Sequence, residues 1–186
     1  MKIAIDIDET LVIHEKRDVE YTLKFAKENN LDFTYNNGVD FKEGITIEWT
    51  ADALEKFWST SFGKNFYKYS SLSSKNRQII KTLQKRGHQI ILITSRNPKW
   101  TEITQNWAKR NLQNVEVVFS KDKVTASKEN NVDVLIDNDL ATCLKTQKAG
   151  VKTFWFNGQK NKGVPVMQDL NDLLKLAKDM GENYER

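Results

Sequence analysis

The chain has 186 residues, of which 39% are apolar and 29% charged, a composition that suits one globular domain or a domain carrying a modest insertion. Its 29 basic and 25 acidic residues are interspersed and give a net charge of +4, which excludes a basic nucleic-acid-binding tail. Cys143 is the sole cysteine, which excludes an intrachain disulfide and a cysteine zinc cluster.

The first predicted element is a strand over residues 2–7 that runs into two closely spaced acids. Side chains two residues apart in an extended chain point the same way, so we expect Asp6 and Asp8 to converge on one small volume. Two carboxylates held that close are costly unless a cation or a proton takes up their charge. The pair is the arrangement that metal-assisted phosphoryl transfer needs, although a pair of this kind alone could equally be an acidic turn.

The segment over residues 16–71 interrupts the alternation of strands and helices that governs the remaining chain. It contains a predicted helix at residues 19–29, a turn at Asn36-Asn37-Gly38 and then a region rich in aromatic residues. The aromatic residues of that region are Trp49, Phe57, Trp58, Phe62, Phe66, Tyr67 and Tyr69. We interpret residues 16–71 as a small, mainly helical cap inserted after the first strand, and residues 1–15 with 72–186 as the catalytic core.

Beyond the insertion, short apolar runs alternate with helical stretches. Strands are predicted over residues 89–94, 115–119, 132–137 and 151–156, and helices over residues 73–86, 97–111, 139–149 and 168–180. Nearly continuous apolar strands separated by helices are typical of a parallel sheet that is buried on both faces. Gly87 and Gly150 follow two of the helices and are favourable C-terminal caps.

Polar residues follow three of these strands, at the edge of an open parallel sheet where ligands collect. The second strand of the sheet ends in Thr94-Ser95-Arg96 and the fourth in Asp137-Asn138-Asp139, and Ser120-Lys121-Asp122-Lys123 lies just beyond the third. Taken singly, Thr94-Ser95 could be the start of a helix, Asp139 a helix cap and Lys123 a solvated lysine. Their joint occurrence at strand ends favours a catalytic site.

Each polar residue has a chemical reason to be there. Asp6 can attack phosphorus to form an aspartyl-phosphate, and Asp8 is placed to protonate the leaving oxygen and then to accept a proton from water. Asp6, Asp137 and a strand-end carbonyl could hold Mg²⁺, which prefers oxygen ligands. The hydroxyl of Thr94, backbone amides and a lysine would bind the phosphoryl oxygens.

At these residues the chain resembles the haloacid-dehalogenase-like phosphatases. Asp6-Ile7-Asp8-Glu9-Thr10 resembles their first motif, DxDxT, while Thr94, Lys123 and Asp137 match the second, third and fourth, with Lys121 and Lys128 as rivals for the third. The resemblance implies a three-layer α/β, Rossmann-like fold with a parallel sheet ordered 5-4-1-2-3. It also implies Mg²⁺ at Asp6, Asp137 and the backbone carbonyl of Asp8. Relatives often have a second acid at the position of Asn138, which leaves open whether Asn138 or Asp139 assists the metal.

Within that superfamily, the chain resembles the 5′(3′)-deoxyribonucleotidases and their bacterial relatives. The resemblance rests on Phe57-Trp58, on Gly87-His88-Gln89 ahead of Ile93-Thr94-Ser95-Arg96, and on Lys123 ahead of Val134-Leu135-Ile136-Asp137. It implies that Phe57 and Trp58 enclose the base of a nucleotide and that Ser95 and Arg96 bind substrate. The alternative is that the aromatic residues form the core of the insertion; Trp49, Phe62 and Tyr67 are weaker candidates for contact with a base.

We therefore expect a cytoplasmic, Mg²⁺-dependent phosphatase of nucleoside or deoxynucleoside monophosphates. The alternatives are a phosphatase of another small ester such as a sugar phosphate, a polynucleotide 3′-phosphatase, and a catalytically silent nucleotide-binding protein. The modest, mixed charge disfavours nucleic acid as a partner, and no apolar stretch is long enough for a signal peptide or a membrane span. His14 and His88 lack metal-ligand spacing and are expected to be structural. The sequence does not determine the base, the sugar or the position of the phosphate. It also leaves open whether the protein forms a homo-oligomer.

Overall fold

The computed structural model describes residues 1–12, 16–35 and 45–182, so His14 and the turn expected at Asn36-Asn37-Gly38 lie outside the described residues. The chain forms two compact units. The sheet unit comprises Met1–Ile13, Leu72–Arg96 and Ala108–Arg186, and the aromatic unit comprises His14–Ser71 and Asn97–Trp107. The predicted insertion ended at Ser71; the aromatic unit also contains the segment from Asn97 to Trp107.

In the sheet unit the strands and helices follow the predicted alternation, with one short strand and one short helix added. The strands are β1 (Lys2–Ile5), β2 (Phe33–Tyr35), β3 (Ile45–Ile47), β4 (Gln89–Thr94), β5 (Glu116–Phe119), β6 (Val134–Asp137), β7 (Lys152–Phe156) and β8 (Val166–Met167). The helices are α1 (Lys16–Glu28), α2 (Ala51–Ser59), α3 (Ser61–Tyr69), α4 (Ser74–Lys85), α5 (Thr101–Asn111), α6 (Lys123–Glu129), α7 (Leu140–Lys148) and α8 (Asp172–Glu182). A single helical turn, Pro98–Trp100, precedes α5.

The sheet unit is an α/β structure built on a parallel sheet of six strands, in the order β5-β4-β1-β6-β7-β8. In the central strand β1, Ala4 lies opposite Ile91 of β4 on one side and Leu135 of β6 on the other. Read from β7, the five strands expected from the sequence stand in the order β7-β6-β1-β4-β5. The sixth strand, β8, pairs with the end of β7 and has only two residues, too few to leave a pattern in the sequence.

The core of the sheet unit consists of the apolar residues of the central strands. Ile3, Ala4 and Ile5 have no exposed surface, as expected for a strand whose two faces are both covered. Burying an aliphatic side chain of this size contributes about 1.5–3 kcal/mol to stability. The strand ends are therefore anchored in the buried core of the unit, which fixes the polar residues that follow them.

One helix of the sheet unit was not predicted. No helix was expected at Lys123, yet it is the first residue of α6. The side chain of Asp122 caps this helix by accepting hydrogen bonds from the backbone N–H groups of Val124 and Thr125, both at 3.1 Å. The helix has seven residues, too few for the apolar periodicity by which longer helices are recognised.

The aromatic unit has a core of its own. It combines α1, the antiparallel pair β2–β3, α2, α3 and the segment that begins α5. Its buried cluster contains Phe25, Ala53, Phe57, Phe66 and Tyr67, with Leu31, Trp49, Trp58, Phe62, Trp100 and Ile103 packed against it. The indole of Trp100 donates a hydrogen bond to the carbonyl of Trp58 at 2.7 Å, and that of Trp107 donates to the carbonyl of Ser70 at 2.8 Å. These two bonds tie the Asn97–Trp107 segment to the rest of the unit.

None of the helices in the described ranges is both long enough and apolar enough to cross a membrane.

Candidate active site

Three neighbouring strands of the sheet unit place predicted site residues, two acids and a threonine, at the same edge of the sheet. Asp6 follows β1 directly, and Asp137 is the last residue of the neighbouring strand β6. The backbone N–H of Asp6 donates to the carbonyl of Ile136 at 2.9 Å, which continues the pairing of the two strands by one residue. Thr94 ends β4 on the other side of β1. All three residues thus lie at the carboxyl edge of the sheet, as the sequence predicted.

A lysine joins the two acids. The ammonium of Lys123 donates to Oδ1 of Asp6 and to Oδ2 of Asp137, each at 2.6 Å. The side chains of all three residues are buried, at 6%, 7% and 1% exposed for Lys123, Asp6 and Asp137. The rival lysines, Lys121 and Lys128, are exposed. Lys123 is therefore the lysine of this site, and the start of α6 sets its direction.

Two acids sharing one base leave the centre short of positive charge. Burial raises the pKa of Asp6 to about 7; Lys123 opposes the rise, while Asp137 and Asp8 add to it. Burial also opposes the charge of Lys123, but the charges of Asp6 and Asp137 outweigh it and hold the pKa of Lys123 above its usual value. The local charge is thus suited to a further cation.

The donor atoms fit Mg²⁺. Within the described ranges, no three acidic, histidine or cysteine side chains form a ready metal cluster. Magnesium does not require one, because it usually binds one or two carboxylates and keeps waters or substrate phosphate as its other ligands. Asp6 and Asp137 supply two carboxylates, and Lys123 occupies one oxygen of each. The backbone carbonyl of Asp8 is the third donor expected from the sequence.

The residues after Asp137 have structural partners. Asp139 is the N-cap of α7 and accepts a hydrogen bond from the backbone N–H of Thr142 at 2.7 Å. Hydrogen bonding from the side chain of Thr142, and secondarily from its backbone, holds the pKa of Asp139 below its usual value. Asn138 accepts a long hydrogen bond, 3.5 Å, from the hydroxyl of Thr10. The backbone N–H of Asp139 in turn donates to Oδ1 of Asp137 at 2.9 Å and orients that carboxylate.

Asp8 has a partner different from that of Asp6. The predicted first strand reached residue 7, but β1 ends at Ile5, and the chain then turns so that the N–H groups of Leu11 and Val12 both donate to the carbonyl of Ile7. The turn passes through Glu9, which has a left-handed φ of 56°. The guanidinium of Arg96 forms a bidentate ion pair with the carboxylate of Asp8. Its Nε donates to Oδ2 at 2.9 Å and its Nη2 donates to Oδ1 at 2.8 Å.

Thr94 and Ser95 occupy contrasting positions beside this ion pair. Thr94 is 1% exposed, and its hydroxyl accepts a hydrogen bond from the N–H of Arg96 at 3.2 Å. Its carbonyl accepts from the N–H of Ser120 at 2.9 Å. Ser95 is exposed. The hydroxyl of Thr94 thereby fixes the turn from which Arg96 reaches Asp8.

Phe57 and Trp58, the predicted base-binding pair, belong to the aromatic unit. Phe57 is 1% exposed and packs edge-on against Phe25 at 5.1 Å and against Trp58 at 4.7 Å between ring centroids. Trp58 is half-buried and stacks on Tyr67, with centroids 5.2 Å apart and planes inclined by 12°. Phe57 therefore contributes to the core of its unit, whereas Trp58 keeps part of its surface exposed. The weaker candidates Trp49 and Phe62 are also half-buried.

Cys143 and Trp155, which no sequence motif marks, support the segment after β6. The thiol of Cys143 lies 3.4 Å from the carbonyl of Asp137, and burial raises the pKa of that thiol to about 12. The indole of Trp155 donates to the carbonyl of Asn138 at 2.8 Å. Its ring lies so close to Gly158 that a Cβ there would come within 2.1 Å of it. No motif signals these contacts, because a carbonyl acceptor exists at every position of a sequence.

Comparison with solved structures shows which known proteins share the fold. A haloacid dehalogenase-like family protein, SP0104 from Streptococcus pneumoniae, matches with a TM-score of 0.66 at 12% identity over 95% of this chain and 97% of that chain. A HAD family hydrolase from Deinococcus radiodurans R1, solved with bound phosphate and sodium, matches with a TM-score of 0.59 at 10% identity over 95% and 96% of the two chains. The chain therefore has the fold of these haloacid-dehalogenase-like hydrolases.

A relative is also found at the level of sequence. The chain is 25% identical over 192 residues to a protein of Bacillus subtilis (strain 168) named "Putative nucleotidase YqfW". The alignment covers 98% of this chain and 95% of the relative. Among models of known protein families, none matches the chain.

Proposed function

We propose that the protein is a Mg²⁺-dependent phosphomonoester hydrolase that acts through an aspartyl-phosphate on Asp6. The observation that carries the proposal is the buried triad in which Lys123 lies 2.6 Å from both Asp6 and Asp137. A nucleophilic carboxylate, a fixed lysine cation and a second carboxylate suited to a metal are the parts that phosphoryl transfer through a covalent intermediate requires.

The reaction takes place in two displacements. In the first, an oxygen of Asp6 forms a bond to phosphorus while the bond from phosphorus to the ester oxygen breaks, and Asp8 gives its proton to that departing oxygen. In the second, water attacks the phosphorus of the aspartyl-phosphate, its proton passes to Asp8, and the Asp6 carboxylate is released. The products are an alcohol and inorganic phosphate, and both acids return to their starting states.

The remaining residues bind and orient. Asp6, Asp137 and the carbonyl of Asp8 would hold Mg²⁺, which when bound supplies positive charge to the phosphoryl oxygens as negative charge develops on them. Lys123 keeps Asp6 in place, and its ammonium lies where it can attract a phosphoryl group. Thr94, held at the end of β4, offers its hydroxyl beside the same edge of the sheet.

The proposed substrate is a nucleoside or deoxynucleoside monophosphate. The support is the similarity, over nearly the whole of both chains, to the Bacillus subtilis protein whose name describes it as a nucleotidase. A second support is Trp58, a half-buried aromatic residue of the kind on which a base can stack. A small phosphate ester, rather than a nucleic acid, suits the mixed charge of the chain.

The test is phosphate release from a panel of nucleoside monophosphates and sugar phosphates, measured with MgCl₂ and with EDTA. We expect metal-dependent turnover, with nucleoside monophosphates preferred, and none from the matched variant Asp6→Asn, which keeps the shape of the side chain and lacks its nucleophilic charge. Turnover of sugar phosphates alone would overturn the substrate assignment and leave the chemistry standing. Absence of turnover for every ester would overturn the proposal that the protein is a phosphatase.

A further inference from the structure

The pairing of Arg96 with Asp8 assigns Arg96 a role different from the one expected from the sequence. We propose that Arg96 is a positioning residue, which holds the carboxylate of Asp8 for proton transfer and does not bind the substrate. The proposal rests on the proposed function, in which Asp8 is the acid and base of the reaction. It replaces the expectation that Arg96 contacts the substrate.

The geometry of the pair favours positioning. Two parallel hydrogen bonds, 2.9 and 2.8 Å long, join the planar guanidinium to both oxygens of Asp8. A bidentate contact of this kind restrains the rotation of the carboxylate as well as its distance, which a single ammonium group cannot do. The side chain of Arg96 has no exposed surface, while that of Asp8 is 28% exposed. Asp8 is therefore the more accessible member of the pair.

Both members of the pair are anchored on neighbouring strands. Arg96 lies two residues beyond the end of β4, and its backbone N–H is bonded to the hydroxyl of Thr94. Asp8 lies three residues beyond the end of β1, in the turn closed by two hydrogen bonds to the carbonyl of Ile7. Since β1 and β4 are paired along their length, the ion pair links two fixed points of the sheet edge.

The charge of the pair also suits the chemistry. Asp8 becomes negative as its proton moves to the departing oxygen, and an adjacent guanidinium stabilises that charge as it develops. Asp8 then begins the second displacement as a carboxylate, the form with which the fork of Arg96 is complementary. Arg96 is buried and paired with Asp8. If Arg96 moved to bind a phosphoryl group, Asp8 would lose the cation that orients it.

The proposal makes a prediction about leaving groups. An alkyl ester needs a proton on the departing oxygen, whereas p-nitrophenolate departs without one. The ratio kcat/KM reports the steps through departure of the leaving group. If Arg96 acts through Asp8, its removal should lower kcat/KM strongly for an alkyl phosphate and weakly for p-nitrophenyl phosphate. If Arg96 binds the phosphoryl group that both esters share, both should fall alike.

The experiment compares the full-length wild type, Arg96→Gln, Arg96→Lys, Asp8→Asn and the double variant Asp8→Asn/Arg96→Gln. The substrates are p-nitrophenyl phosphate and the alkyl monophosphate that the wild type turns over fastest. For Arg96→Gln we expect kcat/KM to fall about a hundredfold or more on the alkyl ester and less than about tenfold on the aryl ester, the range of general acid catalysis. In the Asp8→Asn background, Arg96→Gln should cause little additional loss, because the two residues act as one unit.

Arg86→Gln is the matched control. Arg86 is an exposed arginine of the sheet unit whose side chain donates to the carbonyl of Leu174, so its loss removes the same charge away from the site. If Arg96→Gln does not fold, as judged by its thermal transition, Arg96→Lys keeps the positive charge without the fork and should show the same dependence on leaving group.

Equal losses on the two esters would overturn the proposal, as would a full additional loss in the Asp8→Asn background. Wild-type protein that hydrolyses neither ester would instead overturn the proposed function, and with it the role of Asp8 on which the proposal depends.

Discussion

Lys123 bonds the carboxylate of Asp6 at 2.6 Å across 117 residues of sequence, and it bonds Asp137 at the same distance. The contact joins the first residue of α6 to the residue that follows the central strand. Because two buried acids share a single base, the loss of the lysine would leave both without their common counter-charge. The stability of the sheet unit and the chemistry of its edge thus depend on the same ammonium group.

Substitution of Lys123 by methionine should destabilise the protein by about 3–5 kcal/mol at pH 8, because removing one partner leaves buried charges uncompensated. Urea denaturation with EDTA measures the free energy of unfolding. MgCl₂ should restore part of the loss by supplying another cation to Asp6 and Asp137. Lys121→Met and Lys128→Met are controls with exposed side chains and should unfold as the wild type does. Equal destabilisation by all three variants would contradict the role given to the triad.

The contribution of Asp6 to the stability of the metal-free protein should fall as the pH rises from about 4 to 7. The pKa of Asp6 is raised from 3.8 to about 7 in the folded protein, so in this range the folded state keeps a proton that the unfolded state has lost. The folded state is therefore favoured at the lower pH, and the expected contribution is on the order of a few kcal/mol.

Thermal unfolding of wild type and Asp6→Asn in EDTA, from pH 5 to 8, isolates this contribution. Carboxyl groups remote from Asp6 titrate alike in both proteins and cancel in the difference. The variant should gain stability relative to the wild type as the pH rises, and MgCl₂ should raise the Tm of the wild type more at pH 8 than at pH 5. A constant difference between the two proteins would show that Asp6 titrates as it does in the unfolded chain.

Substitutions of Asp139 and Asp137 should have different effects, although the two residues lie only two positions apart: the first should lower stability and the second should abolish turnover. Asp139→Ala removes the cap of α7 and should cost about 1 kcal/mol of stability with Mg²⁺-dependent turnover preserved. Asp137→Asn should abolish turnover, because it removes a charge expected to bind the metal. Phosphate release over a MgCl₂ titration, together with urea denaturation, measures both effects. A shift of the MgCl₂ requirement in Asp139→Ala would make Asp139 a participant in metal binding.

The neighbouring aromatic residues Phe57 and Trp58 should respond differently to truncation. Phe57→Ala removes a side chain that is 1% exposed and should destabilise the protein by about 3–5 kcal/mol. Trp58→Ala should raise the KM for a nucleoside monophosphate about tenfold, the effect of losing one stacked base, while sparing p-nitrophenyl phosphate. Steady-state kinetics on both esters, with the Tm of each variant, distinguish a structural role from a role in binding the base. If Trp58→Ala weakens both esters alike, Trp58 is structural.

The sheet and its acidic edge could be predicted from the sequence because both produce patterns among residues that are close together in the chain. Apolar runs that lead into Asp6, Thr94 and Asp137 mark the strands and the edge at which they end, although β1 stops two residues before the predicted end. Pairing between distant residues leaves no such mark. The contact between Arg96 and Asp8 spans 88 residues, and the sequence showed only a charged residue after a strand.

Other differences have similarly physical causes. The helix α6 is too short to show periodicity, so no helix was predicted at Lys123 although Asp122 is a good cap. Adjacent aromatic residues such as Phe57 and Trp58 must face different ways on a helix, but composition does not say which of them faces the core. The segment Asn97–Trp107 was assigned to the catalytic core because a helix was predicted there, and a helix can pack on either of two units.

The position of Lys123 at the first turn of α6 also restricts how the chain can change length. Each residue added within that helix would turn the residues on one side of it by about 100° relative to the other. Such a change would carry Lys123 away from Asp6, or carry buried Ala126 and Ser127 away from the core. The turn at Asn130 and Asn131, where Asn131 has a φ of 51°, lies between the helix and β6 and bears no such constraint. Insertions and deletions between Lys123 and Asp137 should therefore be tolerated at that turn and eliminated by selection within α6.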